Sequence, residues 1–198
     1  MSSGDPETRE RILMATWQLM EQKRGQNVRL EDIAQAANVS RQAIYMHFGS
    51  RAGLLIETTH FLDRRLNLEQ RVQPVYDATS ALQALETYID FWTNYLPDIY
   101  GLAKALLIAR DTDKAAAAAW EDRMTAVRRG CNGVVRRLDK EGILRTGWTV
   151  DEATDFFWTV LSVAHWENLT LECGWTHEQY VQHMQRVLKQ ILVQDSDS

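Results

Sequence analysis

The sequence contains little cysteine or proline and no long apolar run. Only two of its 198 residues are cysteine, Cys131 and Cys173. Two are too few for a disulfide framework, so we expect both to be buried free thiols. No stretch approaches the roughly 18 consecutive apolar residues of a membrane span. The first residues, MSSGDPETRER, contain no apolar signal core. We therefore expect a cytoplasmic protein that does not enter membranes.

Residue patterns typical of catalysis or metal binding are also missing from the sequence. There is no Ser/His/Asp set, no paired-carboxylate motif and no glycine-rich phosphate loop. The spacings of His165, Cys173, His177 and His183 match no standard zinc pattern. We therefore expect no catalytic residue, no metal and no cofactor.

The net charge of −5 is distributed unevenly along the chain. Residues 1–65 contain 9 Lys and Arg against 8 Asp and Glu, whereas the remainder contains 13 against 19. The N-terminal third is therefore weakly basic, and the acidity belongs to the rest of the chain. Because phosphate neutralisation drives non-specific DNA binding, such binding should be modest here. Tight binding would require dimerisation and specific base contacts.

The most informative stretch runs from Leu30 to Leu55 and begins with the pattern of a short helix and a tight turn. Apolar residues recur at helical spacing at positions 30, 33, 34 and 37, which predicts one buried helical face. Asn38 follows, and asparagine tolerates the positive φ that a chain reversal requires. Ser40 is a good N-cap for a second helix.

On that second helix, Ile44 and Phe48 lie four residues apart and are predicted to face inward. Four other side chains of this helix are predicted to point outward, namely Arg41, Gln42, Tyr45 and Met46. Two helices joined by a short turn, the second with a polar exposed face, form a helix-turn-helix. In such proteins the second helix enters the major groove of DNA.

This stretch resembles the N-terminal DNA-binding domain of the tetracycline-repressor (TetR) family of bacterial regulators. The resemblance rests on Ile33-Ala34, Ala37-Asn38-Val39-Ser40, Tyr45-Met46-His47-Phe48, Ser50-Arg51 and Leu54. Asn38 stands where the family usually has Gly, and Arg51 stands where it usually has Lys. The rest of the chain matches the family only in length and helical character. The resemblance implies a repressor that binds a palindromic operator as a dimer and is released by a small effector.

Residue chemistry assigns roles to the side chains of this predicted interface. Arg41 and Gln42 suit guanine and adenine edges, and Ala43 suits a thymine methyl group. Arg51 would begin a helix, where backbone N–H groups favour a phosphate. The resemblance implies that Tyr45 and His47 also bind phosphates. Arg29 lies before the first helix, within reach of DNA or simply solvated. The predicted interface comprises Arg29, Ser40, Arg41, Gln42, Ala43, Tyr45, His47 and Arg51.

Helical periodicity without strand alternation continues along the whole chain, which predicts an all-α fold. A helix from about residue 51 to 71 is expected to end before Pro74, and the resemblance implies that it links the two domains. Ser80 would open the next helix and Pro97 another. Thr149–Glu152 and Thr176–Gln179 are capping boxes that open the last two helices. We expect a three-helix helix-turn-helix domain in residues 1–52 and a helical ligand-binding and dimerisation domain in 53–198.

The C-terminal part is rich in aromatic residues, and the resemblance implies a small-molecule pocket there. Tyr88, Asn94 and Cys131 are candidate polar contacts. The aromatic side chains would suit a cationic ligand or a plain hydrophobic one, and each of them is also compatible with an ordinary core position. Our candidate ligand residues are Trp92, Tyr95, Tyr100, Trp120, Met124 and Trp158. Gly130 and Gly133 lie inside a predicted helix and indicate close helix approach, room for a ligand, or a local kink.

The last two predicted helices carry more apolar surface than one small domain easily covers. A two-fold dimer through a four-helix bundle explains this excess, and the resemblance implies the same assembly. The predicted interface residues are Phe156, Val160, Val163, Tyr180, Met184, Val187, Leu188 and Ile191.

Two other functions are compatible with the sequence. The first is a helical ligand-binding or scaffolding homodimer that does not bind DNA. The second is a small helical enzyme that uses the aromatic cavity. Salt-dependent binding to DNA distinguishes the first from a regulator, and turnover of a bound compound is required for the second.

Overall fold

The structure, a computed structural model, describes residues 5–194 and confirms the all-α prediction. In this range α-helices and one π-helical turn are joined by short loops, and the described residues contain no β-strand. The helices are α1 (Pro6–Gln22), α2 (Leu30–Ala36), α3 (Arg41–Phe48), α4 (Arg51–Arg65), α5 (Leu68–Asp77), α6 (Ala81–Ala109), α7 (Lys114–Lys140), α8 (Val150–Val160), α9 (Val163–Glu167), the π-helical turn Asn168–Glu172, and α10 (His177–Leu192).

The described chain divides into two compact units. The first contains residues 5–67 together with Ile99–Met124, and the second contains Leu68–Asp98 together with residues 125–194. Helices α6 and α7 each contribute one part to each unit. This division by packing is distinct from the functional boundary at residues 52 and 53, which stays a prediction.

The core of the first unit joins the N-terminal helices to parts of α6 and α7. Its most deeply buried side chains come from α1 to α4, and α6 adds Leu102, Ala105 and Leu106. The loop after α1 lies directly against α6, because a Cβ on Gly25 would fall 2.1 Å from the carbonyl oxygen of Ala105. Gly25 also has φ +71°, a conformation that glycine adopts without strain. The N-terminal helices are thereby held against residues 99–109 of α6.

Helix starts follow the local capping signals read from the sequence. Asp5 accepts a hydrogen bond from the Glu7 amide and precedes Pro6 at the first helical position. The capping boxes at Thr149 and Thr176 are both formed, which confirms the predicted starts of α8 and α10. These caps satisfy backbone N–H groups that have no partner within the helix.

The predicted helix breaks at two prolines are wrong. Pro74 lies inside α5 and Pro97 inside the continuous α6. A proline cannot donate to the carbonyl four residues earlier, which usually costs about 3 kcal/mol. Arg71 bonds α6 on either side of Pro97: Nη2 donates to the carbonyl of Asn94 at 2.8 Å and Nη1 to Asp98 Oδ2 at 2.7 Å. The break predicted at Pro74 occurs earlier, at Asn67, which has φ +53°.

The segment after Thr149, predicted as one helix as far as Trp166, is divided into two helices in the structure. The first of these, α8, ends at Val160, and the side chain of Ser162 then caps α9 by accepting a hydrogen bond from the His165 amide at 3.2 Å. A serine side chain can compete with the helical ladder for backbone partners in this way. None of the described helices combines the length and apolar character needed to span a lipid bilayer.

The second unit contains an aromatic cluster built around Tyr88. Its ring contacts Phe157 edge-on with centroids 5.7 Å apart, and Trp92 at 6.5 Å. The Tyr88 hydroxyl donates to the carbonyl of Val127 at 3.3 Å and accepts from the Cys131 thiol at 3.8 Å. Burial raises the pKa of Cys131 to about 12. Cys131 is buried as expected, whereas Cys173 is exposed, contrary to expectation.

The two helical glycines of α7 have different surroundings. A Cβ on Gly130 would lie 2.3 Å from the Tyr88 hydroxyl oxygen, whereas a Cβ on Gly133 would meet nothing within 4 Å. Gly130 is therefore explained by the close approach of α6 to α7 in this unit. Gly133 faces open space.

We predict opposite stability effects for alanine at these two glycines. Gly130→Ala should lower the free energy of unfolding by about 1–2 kcal/mol, because overpacking against the buried Tyr88 outweighs the better helix propensity. Gly133→Ala should raise it by up to about 1 kcal/mol, because only the propensity changes. Urea denaturation at one protein concentration measures both. Equal stability of the two variants would contradict the close approach, and adding Tyr88→Phe should partly rescue Gly130→Ala.

Candidate nucleic-acid interface

Helices α2 and α3 are joined by a tight turn whose geometry follows from three residues. Asn38 has φ +52°, as its sequence position predicted. The amide of Val39 donates to the carbonyl of Ala34 at 2.9 Å and closes the turn. Ser40 caps α3 by accepting a hydrogen bond from the Ala43 amide at 3.1 Å. The turn and the cap together fix the start of α3.

The orientation of α3 about its own axis is fixed by the burial of one side chain. Ile44 is 1% exposed and belongs to the core of the first unit. Arg41 and Gln42 are exposed, as are Tyr45 at 44% and Met46 at 59%. The outward direction predicted for these four side chains is therefore confirmed. Met46 lies on the exposed side and does not pack in the core.

The remaining predicted residues surround this exposed side of α3. Arg29 is exposed before α2, and its backbone amide donates to Asp32 Oδ2 at 3.3 Å. Ala43 and His47 are half-buried, and the His47 ring lies 6.0 Å from that of Phe48. Ser50 caps α4 by accepting from the Gly53 amide at 3.0 Å, so Arg51 occupies the first position of that helix.

Two of the predicted DNA-contacting arginines form ion pairs within the chain. Arg41 Nη1 lies 2.6 Å from Glu31 Oε1, and both side chains are about half exposed. Arg51 donates through Nε at 3.0 Å and through Nη2 at 2.8 Å to one oxygen, Oδ2 of Asp113. Asp113 is 62 residues away from Arg51 in sequence. Neither acidic partner was predicted, and Asp113 gave no local sequence signal.

The carboxylate of Asp113 is held by two structural elements. Its Oδ1 accepts a hydrogen bond from the Ala115 amide at 2.8 Å, at the start of α7. Burial alone would raise the pKa of Asp113, but the hydrogen bonds and charge of Arg51 outweigh that effect, and the net pKa is lowered. The carboxylate is therefore ionised at neutral pH.

A groove of about 790 Å³ opens beside this ion pair within the first unit. We call it the basic groove, because four cationic side chains line it together with Glu31 and Asp113. The cationic residues are Arg29, Arg41, Arg51 and Lys114. Three of these four belong to the predicted DNA interface. Because four cationic side chains face two carboxylates, the local charge of the groove favours an anion although the whole chain is acidic.

The predicted ligand residues fall in both compact units. Trp92, Tyr95 and Trp158 belong to the second unit, where Trp92 and Tyr95 lie with ring centroids 6.0 Å apart. Tyr100, Trp120 and Met124 belong to the first unit. Asn94, a candidate polar contact, is exposed and its Oδ1 lies 2.9 Å from His177 Nε2. The ligand site stays a prediction.

The predicted dimer residues separate into core and surface positions. Tyr180, Met184 and Leu188 are at most 1% exposed in the single chain, because α10 packs this stripe against its own unit. These three are therefore corrected to core residues, and Val163 is also buried, at 6%. Phe156, Val160, Val187 and Ile191 are half-buried and retain surface that a partner can contact.

Among residues 5–194, no group of three or more His, Cys, Asp or Glu side chains is arranged to hold a metal ion.

Residues 12–58 match the family of bacterial regulatory proteins called the tetR family. No curated protein matches the chain in sequence. Among solved structures, a putative transcriptional regulator from Saccharomonospora viridis in complex with choline has a TM-score of 0.74 and 20% identity, covering 96% of this chain and 100% of its own.

Two further solved structures share this fold at low sequence identity. NalD from Pseudomonas aeruginosa, the secondary repressor of the MexAB-OprM multidrug efflux pump, has a TM-score of 0.69 and 22% identity, with 96% of this chain and 97% of its own covered. FadR from Bacillus subtilis in complex with stearoyl-CoA has a TM-score of 0.71 and 15% identity, with 90% and 96% covered. At these identities the likeness shows the fold alone.

We predict that the Ser40 cap stabilises the first unit measurably. Ser40→Ala should lower the free energy of unfolding by about 1 kcal/mol, because the Ala43 amide loses its acceptor. Ser40→Asn is the matched control and should remain near the parent, since asparagine caps equally well. Thermal and urea denaturation measure both variants. Equal losses for Ala and Asn would show that the cap is not the cause.

Proposed function

We propose that this chain, whose N-terminal segment belongs to the tetR family of bacterial regulatory proteins, is a ligand-responsive transcriptional repressor that binds a palindromic operator as a dimer. The observation that carries the proposal is the exposed side of α3, where Arg41, Gln42 and Tyr45 face solvent while Ile44 is anchored in the core. A helix oriented in this way presents its polar edge to a major groove.

Base and phosphate contacts would divide among the interface residues. Arg41 and Gln42 suit base edges because their side chains form paired hydrogen bonds with guanine and adenine, and Ala43 suits a thymine methyl group. Arg29, Ser40, Tyr45, His47 and Arg51 would contact the sugar-phosphate backbone. Phosphate contacts set the register of the protein, and base contacts set the sequence.

A dimer would supply the affinity that one weakly basic domain lacks. Two copies of α3 about 34–36 Å apart would read two half-sites one helical turn apart. The surface available for association includes Phe156 and Val160 on α8 and Val187 and Ile191 on α10. These helices would form a four-helix bundle with their copies in the second subunit.

The effector would bind in the helical C-terminal part. Solved neighbours carry choline in one case and stearoyl-CoA in another, which favours a small ligand with cationic or hydrophobic character here. The second unit offers the aromatic cluster around Tyr88 and the hydroxyl of Tyr180, which is buried and forms no hydrogen bond within residues 5–194. A buried unpaired hydroxyl costs about 1–3 kcal/mol, and an effector with a polar group would satisfy it. Any effector regulates only by binding the DNA-competent and DNA-incompetent states unequally.

We predict that substitutions at base-contacting residues reduce sequence preference, whereas a substitution at a phosphate-contacting residue reduces overall DNA affinity. Operators are first selected from a random duplex pool by the parent protein. Arg41→Ala and Gln42→Ala should each reduce the preference for operator over random DNA by roughly 10-fold, because one base contact is worth about 1–3 kcal/mol. Arg51→Ala should lower the affinity for operator DNA and for random DNA by a similar factor, because a phosphate contact carries no sequence information. Fluorescence anisotropy at fixed salt measures the affinity of the parent and of each variant for both DNAs.

Arg136→Ala is the control for this experiment, because Arg136 is exposed in the second unit and bonds Asn132. It should leave both affinities unchanged. Equal affinity of the parent for selected and random DNA would contradict base readout. Complete absence of salt-dependent DNA binding would favour the ligand-binding or scaffolding homodimer instead.

A further inference from the structure

The proposed function assigns Arg51 to a DNA phosphate, but in the free protein its side chain is paired with Asp113. Two of the three guanidinium nitrogens, Nε and Nη2, donate to a single carboxylate oxygen of Asp113. A carboxylate and a phosphate present similar oxygen acceptors to an arginine fork. The free protein therefore already places an anion where DNA would place one.

One nitrogen of Arg51 is left without a hydrogen bond among residues 5–194. This nitrogen is Nη1, which is buried. A buried donor on a charged group that lacks a partner is costly. Asp113 thus satisfies Arg51 only in part, and a phosphate would offer acceptors to Nη1 once the Arg51 side chain has moved away from Asp113.

Asp113 keeps other partners when Arg51 leaves. Its second oxygen, Oδ1, accepts from the Ala115 amide at 2.8 Å at the first turn of α7. A helix N-terminus stabilises a nearby carboxylate through its free N–H groups and its dipole. Loss of Arg51 would therefore not leave an unpaired buried charge, which makes the pair reversible.

The surroundings of the pair would also attract DNA. Arg29, Arg41 and Lys114 line the basic groove beside it, so the local charge without Asp113 favours an anion. The side chains of Arg51 and Asp113 are 23% and 27% exposed, so solvent reaches the pair only in part.

From these contacts we infer that Asp113 is an internal competitor for the DNA phosphate at Arg51, and that it lowers the DNA affinity of the free protein. This inference rests on the proposed function. Arg51 exchanges Asp113 for a phosphate when DNA binds, while Asp113 stays at the start of α7. The turn between α6 and α7 thereby sets how readily α4 contacts DNA.

The test compares two charge-matched substitutions in the same turn. Asp113→Asn removes the competing charge, and asparagine still serves as an N-cap for α7. Asp111→Asn removes the same charge from an 83% exposed side chain that lies 3.7 Å from its neighbour Arg110. Each variant loses one negative charge and so gains the same general attraction for DNA. The difference between their DNA affinities therefore reports the competition at Arg51.

Affinity is measured by anisotropy on a random-sequence duplex and on a selected operator. Ion pairs at this exposure shift an equilibrium by roughly two- to fivefold each. With one pair in each of two subunits, Asp113→Asn should bind DNA about 4- to 25-fold more tightly than Asp111→Asn. In an Arg51→Ala background the two substitutions should have equal effects, because no arginine remains to be released.

Each result separates the inference from the proposed function. If the parent protein binds DNA and the Asp113→Asn and Asp111→Asn variants have equal DNA affinity, the competition is overturned and the proposed function stays intact. An Asp113→Asn advantage that persists without Arg51 also overturns the competition. If neither the parent nor Asp113→Asn binds DNA even at low salt, the proposed function fails, and the inference fails with it.

Discussion

The burial of Ile44 is the constraint on which the interface depends. Successive helical residues are rotated by about 100°, so an anchored Ile44 turns Gln42 and Tyr45 away from the core. Arg41 is exposed at the first position of α3. The anchor holds only because the first unit has a core deep enough to enclose it, built from α1, α2 and α4 with part of α6. The exposed polar edge is thus a consequence of apolar packing behind it.

The exposed side of α3 is set by apolar packing, and the charges around it affect only how strongly it would bind DNA. The N-terminal third is only weakly basic, and Glu31 and Asp113 already pair with Arg41 and Arg51. DNA must therefore compete with carboxylates of the protein itself. In the proposed complex, such competition would lower the affinity for every DNA sequence, because phosphate contacts supply non-specific binding and a large share of specific binding. Base contacts would then have to supply the preference for an operator.

Local rules predicted the turn before α3 and several helix starts along the chain, because periodicity, caps and positive φ act over a few residues. Asn38, Ser40, Thr149 and Thr176 all behave as their residue types require. The rules failed where residues distant in sequence intervene. Arg71 bonds the backbone of α6 beside Pro97. Tyr180, predicted at a dimer interface, is buried within the single chain. The partner of Arg51 lies 62 residues away, and no pattern in one sequence connects them.

The most direct test of the central claim is a backbone amide NMR titration of the parent protein with its selected operator duplex at physiological salt. If the outward side of α3 binds DNA, the largest chemical-shift changes fall in residues 40–51, and the buried Ile44 environment keeps its side-chain contacts. Large changes confined to α8 and α10, with residues 40–51 unchanged in bound protein, would contradict the claim.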